Sequence, residues 1–137
     1  MAETMKTGER LTADLREWLV AEPRYPVMAT IRSDGFPSLS VVWFDLDPER
    51  EDTVVLNTLS GRVKHRHLKR DPRLSLCFED GYDYVTLEGR ADLDDDPVRG
   101  LQVIQDLARR YDDPPERFVG QHRITIDMRI ERVIRHD

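Results

Sequence analysis

The chain has 137 residues and a formal net charge of -6; 35% of its residues are charged and 39% are hydrophobic. This length predicts one domain, residues 1–137, with a core large enough to need no disulfide or metal. The acidic balance disfavours a nucleic-acid-binding module, because neutralising a phosphate backbone requires a basic surface.

The N-terminal segment and the single cysteine bear on the compartment. Residues 1–10 are polar and charged, unlike a secretory signal peptide, and no apolar run approaches membrane-spanning length. We therefore expect a cytoplasmic protein without a membrane segment. Cys77 lies in an apolar run, which favours a packed core thiol over a nucleophile.

The first half of the chain predicts one helix and three strands. Thr12 is a plausible N-cap, and Leu15, Trp18 and Leu19 then fall on one helical face. Strands are expected over residues 27–31, 38–46 and 53–57, separated by turns at 33–35 and 47–52. Connections this short favour up-and-down pairing of neighbouring strands.

The second half adds two helices and three strands. Residues 62–70 are dense in Arg, Lys and His and predict a basic helix that ends before Pro72. Strands follow at 74–78 and 84–93 around a turn at Gly81, and Pro97 begins another helix. From Ile124 onward, apolar and polar residues alternate, which predicts a closing strand with one buried and one wet face.

The element order predicts the fold class. It is mainly β with α (α+β), a six-stranded antiparallel barrel-like sheet with two or three short flanking helices. No βαβ period appears, so a doubly wound nucleotide-binding fold is disfavoured.

Arg62 and Lys64 open the basic helix directly after Gly61. A glycine-containing turn before a helix can present backbone N–H groups and a positive dipole end to a phosphate. Thr58 and Ser60 would add hydroxyl donors. The alternative is an ordinary solvated basic helix face.

The histidines do not predict a metal site. His65 and His67 point to different sides of a helix, and neither His122 nor His136 completes a ligand spacing. An alternative role for His65 is added positive charge near an anionic group. No Ser-His-Asp, P-loop or dinucleotide motif is present, so no catalytic residue is assigned.

Three segments carry a resemblance to a known family. They are residues 57–64 (NTLSGRVK) followed by 67–73 (HLKRDPR), residues 87–91 (LEGRA) and residues 130–133 (IERV). In this order the chain, over about residues 11–133, resembles the pyridoxamine-5'-phosphate-oxidase-like split β-barrel family. The compact size and the Arg62–Lys64 pair are similar to its F-420-dependent flavin/deazaflavin oxidoreductase branch.

The resemblance implies a cofactor, its ligands and an assembly. Arg62 and Lys64 would hold the phosphate and tail of coenzyme F-420, or the phosphate of FMN, with help from Thr58, Ser60 and Gly61. The strand that contains Ser40 and Val42 would cradle the ring, although either face of that strand could meet it. The family's homodimer would place cofactor between subunits, with Tyr82 covering it. The alternative role for Tyr82 is packing at an edge strand or interface. Trp43 and Phe44, on the same strand as Ser40 and Val42, have core packing as their alternative to a place beside the ring.

The implied function is hydride transfer between F-420 and a small conjugated or aromatic organic substrate. The lack of a protein nucleophile is consistent with a cofactor that carries the reaction. An FMN-dependent oxidoreductase and a non-catalytic flavin or haem carrier are the alternatives. Pyridoxamine-phosphate oxidase activity itself is disfavoured, because no further Arg- and Trp-bearing segment follows the last strand.

Overall fold

A computed structural model describes residues 5–136. Residues 1–4 of the polar N-terminal segment and Asp137 lie outside the described residues. The strands are β1 (Met5–Gly8), β2 (Val27–Ile31), β3 (Pro37–Val41), β4 (Asp45–Leu46), β5 (Thr53–Leu59), β6 (Arg73–Asp80), β7 (Asp83–Asp94) and β8 (Arg123–His136). The helices are α1 (Ala13–Val20), α2 (Val63–Arg70), α3 (Pro97–Arg110) and a short 3-10 helix (Pro115–Phe118).

The strands form one antiparallel sheet in the order β3-β2-β6-β7-β8-β5-β4, with β1 added beside β8. This confirms the predicted α+β class, and the sheet is not closed into a barrel. The predicted count of six strands was too low, since the described chain forms an 8-stranded sheet. Up-and-down pairing was also wrong in part, because β2 pairs with β6 and β5 pairs with β8 across long stretches of sequence.

The strand predicted over residues 38–46 is interrupted. Alternation holds through Val41, after which the Val42 N–H donates to the Pro26 carbonyl and Phe44 turns fully into the core. Pairing resumes only at Asp45 and Leu46, on a different neighbour, β5. The inward turn of Phe44 gains an edge-to-face contact with Phe78, whose ring centroid lies 4.8 Å away.

Helix α1 closes the core as predicted. The Thr12 hydroxyl accepts a hydrogen bond from the Leu15 N–H, which caps the helix. Leu15 and Leu19 are buried and Trp18 packs against the same apolar cluster. The inner face of the sheet supplies the rest of that cluster, including Leu56, Leu76 and Leu87.

Strand β8 corrects the prediction of one buried and one wet face. Residues 124–128 are all buried, because α3 covers the face that faces away from the main core. Helix α3 contributes its own apolar cluster with Ile104, Leu107 and Phe118. The helix approaches β8 most closely at Gly100, where an added Cβ would lie 2.0 Å from the Arg123 carbonyl oxygen. A glycine is therefore required where α3 crosses the start of β8.

The outer face of β2 and β3 is apolar and exposed. Val27 lies opposite Val41, and the Leu39 and Val41 side chains are 66% and 64% exposed. Cys77 lies opposite Val27 on this outer face and is half-buried, so the expectation of a core thiol was wrong. Within the described chain, no helix is both long enough and apolar enough to cross a membrane.

Candidate functional site

A pocket of about 290 Å³ lies where β5 ends and α2 begins. Arg62 and Lys64 line it from α2 and its N-cap, and Thr58 lines it from β5. Arg123, at the first position of β8, completes the wall. The pairing of β5 with β8 brings Arg123 here, since Leu59 and Arg123 are direct partners across the ladder. We call this the cation pocket.

The described part of the chain gives the three cations of the pocket no counter-charge. Within residues 5–136, none of Arg62, Lys64 and Arg123 forms an ion pair with a carboxylate. Burial lowers the pKa of Lys64, and the positive charges of Arg62 and Arg123 lower it further. Burial and Arg62 likewise lower the pKa of Arg123. The site therefore concentrates positive charge in a chain whose net charge is -6.

Arg123 is held by neutral groups. Its Nε donates to the Asn57 Oδ1 at 2.8 Å, and its Nη1 donates to the Gln121 Oε1 at 3.0 Å. The Asn57 Nδ2 in turn donates to the Gly100 carbonyl at 2.9 Å. Both ends of the Asn57 amide are thus engaged, which fixes its orientation. The guanidinium also lies over the Phe118 ring, 5.3 Å from its centroid.

The turn before α2 has its own amides occupied. Gly61 adopts φ 80, a conformation that favours glycine. The Ser60 N–H donates to the His122 carbonyl and the Arg62 N–H donates to the Leu59 carbonyl, at 2.9 and 3.1 Å. The Gly61 N–H donates to the His65 Nδ1 at 2.9 Å. Our expectation that these turn amides would face a phosphate was therefore wrong.

The start of α2 still presents donors. Its N-cap, Arg62, makes no side-chain capping bond, and its first turn contains no acidic residue. The first amides of an α-helix lack intrahelical acceptors and carry the positive end of the helix dipole. Beside the cation pocket, these amides are available to an anion.

The other residues predicted to hold the phosphate are buried or lie beside the cation pocket. Thr58 lines the pocket but is only 5% exposed. Ser60 and Gly61 lie in the adjoining turn, outside the lining. The idea that His65 adds positive charge was wrong for this arrangement, because an Nδ1 that accepts the Gly61 N–H carries no proton.

The residues predicted to meet the ring do not line the cation pocket. Ser40, on β3, lies opposite the buried Met28 of β2, and Val42 packs against the core. Tyr82 stands at the tip of the β6–β7 hairpin with 94% of its surface exposed. Phe44 belongs to the core, and the ring of Trp43 stacks on Tyr111 with centroids 5.2 Å apart.

Sequence reasoning missed Arg123 and Asn57 as partners in one site. They are 66 positions apart, and both belong to strands. Their meeting depends on the non-sequential β5–β8 pairing, which the expected up-and-down order excluded. Among the described residues, no group of three or more His, Cys, Asp or Glu side chains is arranged to hold a metal ion.

Comparison with known proteins identifies the family of this chain. The family model for pyridoxamine 5'-phosphate oxidase matches residues 11–136. The chain belongs to that family. Its fold is thus the flavin-binding, pyridoxamine-phosphate-oxidase-like one, as the three sequence segments predicted.

Solved structures of similar fold agree with the family assignment. One named F420 reductase is 27% identical, with a TM-score of 0.73, and the match covers 85% of this chain and 94% of that one. A conserved hypothetical protein from Mycobacterium tuberculosis is 24% identical, with a TM-score of 0.75 and coverage of 91% and 84%. A putative pyridoxamine 5'-phosphate oxidase from Listeria innocua is 16% identical, with a TM-score of 0.65 and coverage of 87% and 95%. The last two likenesses concern the fold alone.

Proposed function

We propose that this protein is an F-420-dependent oxidoreductase that acts on a small conjugated or aromatic organic substrate. The observation that carries the proposal is the cation pocket, in which Arg62, Lys64 and Arg123 converge without a carboxylate from the described chain. The similarity to a protein named F420 reductase supports the deazaflavin over other cofactors of this fold.

The donor set of the pocket fits the phosphate of such a cofactor. Arg62 offers a planar fork of N–H donors and Lys64 a compact charge, and Arg123 is already fixed by Asn57. A volume of about 290 Å³ accommodates a phosphate group and the start of the chain attached to it. Thr58, which lines the pocket, and the Ser60 hydroxyl are the further donors of the proposed phosphate site, and Gly61 sets the turn that leads into Arg62.

The protein's task is to bind and orient the cofactor. When bound, a deazaflavin supplies two-electron transfer as a hydride. Ser40 and Val42 remain our proposed support for the ring. Neither residue lines the cation pocket of its own chain, so a ring held by them would lie outside that pocket.

We propose that a second copy of this chain docks on the exposed outer face of β2 and β3. Leu39 and Val41 are each more than half exposed there, and so is Phe36 in the turn between β2 and β3. Next to them lies a groove of about 410 Å³ lined by both signs of charge, including Arg73 and Glu88. Such a mixture suits a two-fold contact, in which each patch meets its own copy. Tyr82 would then cover the partner's cofactor.

The test is a parallel titration of the purified protein with F-420 and FMN, followed by fluorescence. Micromolar or tighter F-420 binding with weaker FMN binding supports the proposal, and a screen of conjugated substrates then tests turnover. Tighter FMN binding would move the protein to a flavin oxidoreductase with the same phosphate site. Binding without turnover on any acceptor would make it a carrier, and binding of neither cofactor would refute the proposal.

The dimer is tested separately by sedimentation velocity. Leu39→Glu should convert a dimer to a monomer, because it places a charge in the centre of the apolar face. Glu17→Lys, on the exposed side of α1, is the matched control. A wild-type monomer at working concentration would contradict the assembly.

A further inference from the structure

His65 occupies an unusual position at the start of α2. It is the third residue of the helix, where Glu or Gln often reaches back to cap the backbone N–H before the helix. Here the imidazole Nδ1 accepts the Gly61 N–H at 2.9 Å, one residue before the N-cap. The side chain therefore closes the turn that leads into Arg62.

The neutrality of this acceptor matters because of its neighbours. A carboxylate at position 65 would lie in the same helical turn as Lys64 and beside the cation pocket. It would neutralise charge that the described chain otherwise leaves uncompensated. A neutral imidazole holds the turn without that effect, as the Asn57 amide does for Arg123.

We propose that His65 is a positioning residue, whose unprotonated Nδ1 holds the Gly61 turn and so presents Arg62 and Lys64 to the anionic group of the cofactor. This role rests on the proposed cofactor site, although the hydrogen bond from the Gly61 N–H to His65 can be measured without any cofactor. Protonation of the ring replaces the acceptor with a donor, so the bond to Gly61 is lost.

The surroundings of His65 keep it neutral. Burial lowers its pKa below the ordinary 6.5, and the positive charges of Lys69 on α2 and His122 before β8 lower it further. Asp95, before α3, acts in the opposite direction and is the last of these causes. Because the folded pKa lies below the unfolded one, the hold is complete above about pH 6.5 and is lost as pH falls through the lowered value.

The experiment compares wild type with His65→Asn and His65→Leu. The Asn side chain places an oxygen acceptor near the position of Nδ1 and does not titrate, whereas Leu has no acceptor. At pH 8, F-420 should bind His65→Leu about 3- to 10-fold more weakly, the effect of one lost hydrogen bond, and His65→Asn within about twofold of wild type. His67→Asn, on the same helix and outside the pocket, is the control.

Hydrogen exchange at the Gly61 amide gives a readout without cofactor. Its protection factor should fall on acidification in wild type, stay constant in His65→Asn and be low at every pH in His65→Leu. Equal Gly61 protection in all three proteins would overturn the proposal, as would His65→Asn binding as weakly as His65→Leu. If wild type binds neither F-420 nor FMN, the proposed function fails, and Gly61 protection still decides whether His65 holds the turn.

Discussion

Two arginine clusters lie four residues apart on one face of β8, and they are built in opposite ways. At Asp127, the carboxylate accepts two bonds from Arg99, at 2.7 and 2.9 Å, and a third from Arg50 at 3.0 Å. At Arg123, the partners are the amides of Asn57 and Gln121, and no carboxylate is among them. The first cluster uses its charges internally, and the second leaves them uncompensated.

The difference separates a structural role from a binding role. The Asp127 side chain is 7% exposed, and the bonds from Arg99 tie α3 to the sheet. Hydrogen bonds to a charged group of this kind stabilise a fold by about 1.5–3 kcal/mol each. In the cation pocket, burial and then the mutual repulsion of the cations lower the pKa of Lys64 and of Arg123, and both effects cost the free protein stability that a bound anion would restore.

The largest effect should follow removal of both α2 cations. Arg62→Ala with Lys64→Ala deletes two charge-assisted contacts, so F-420 affinity should fall about 100-fold or more. The free energy of unfolding should stay within about 0.5 kcal/mol of wild type or rise slightly, since neither side chain has a hydrogen-bond or ion-pair partner within residues 5–136 and their removal relieves repulsion on Arg123. Titration and chemical denaturation measure the two quantities. Normal F-420 binding by this variant would remove the phosphate site from these residues.

A carboxylate introduced at Asn57 should compensate the charge of Arg123, as Asp127 compensates the charges of Arg99 and Arg50. Asn57→Asp keeps an acceptor for the Arg123 Nε but adds a negative charge, so F-420 affinity should fall about tenfold, the effect of about 1.4 kcal/mol of lost attraction. Asn57→Ala, which removes the hold without adding charge, should lose less. An Asn57→Asp protein with wild-type affinity would show that net charge in the pocket does not govern binding.

The smallest effect concerns alkaline pH. Burial and the two arginines lower the pKa of Lys64 below its ordinary 10.5, so this cation loses its proton earlier than an exposed lysine would. F-420 affinity should therefore weaken as pH rises through the lowered value. Lys64→Arg, which stays charged in this range, should weaken less over the same titration. Parallel curves for the two proteins would contradict a role for the Lys64 charge.

The sequence predicted what depends on neighbouring residues. The cap at Thr12, the helix start at Pro97, the basic α2 and the turns at Gly35 and Gly81 were all found by local pattern. The family segments likewise identified Arg62 and Lys64 as the first two members of the pocket.

What depends on distant pairing could not be predicted from such patterns. Arg123 reaches the pocket only because β8 pairs with β5, and the polar face of β8 is buried only because α3 covers it. The interruption of the strand after Val41 was not predicted for the same reason, since Phe44 turns inward to contact Phe78 from another part of the chain.

The comparison between the two clusters is tested most directly by one pair of matched substitutions on which both stability and F-420 affinity are measured. Arg123→Gln should weaken F-420 binding by about tenfold or more and lower the free energy of unfolding by only about 1 kcal/mol, because the bonds it loses go to neutral amides and its removal relieves repulsion from Arg62. Arg99→Gln should lower the free energy of unfolding by about 2–3 kcal/mol, because it leaves Asp127 short of its main partner, and should leave F-420 affinity nearly unchanged. If Arg123→Gln instead lowers stability as much as Arg99→Gln does and spares F-420 binding, the cation pocket is structural and the proposed cofactor site is wrong.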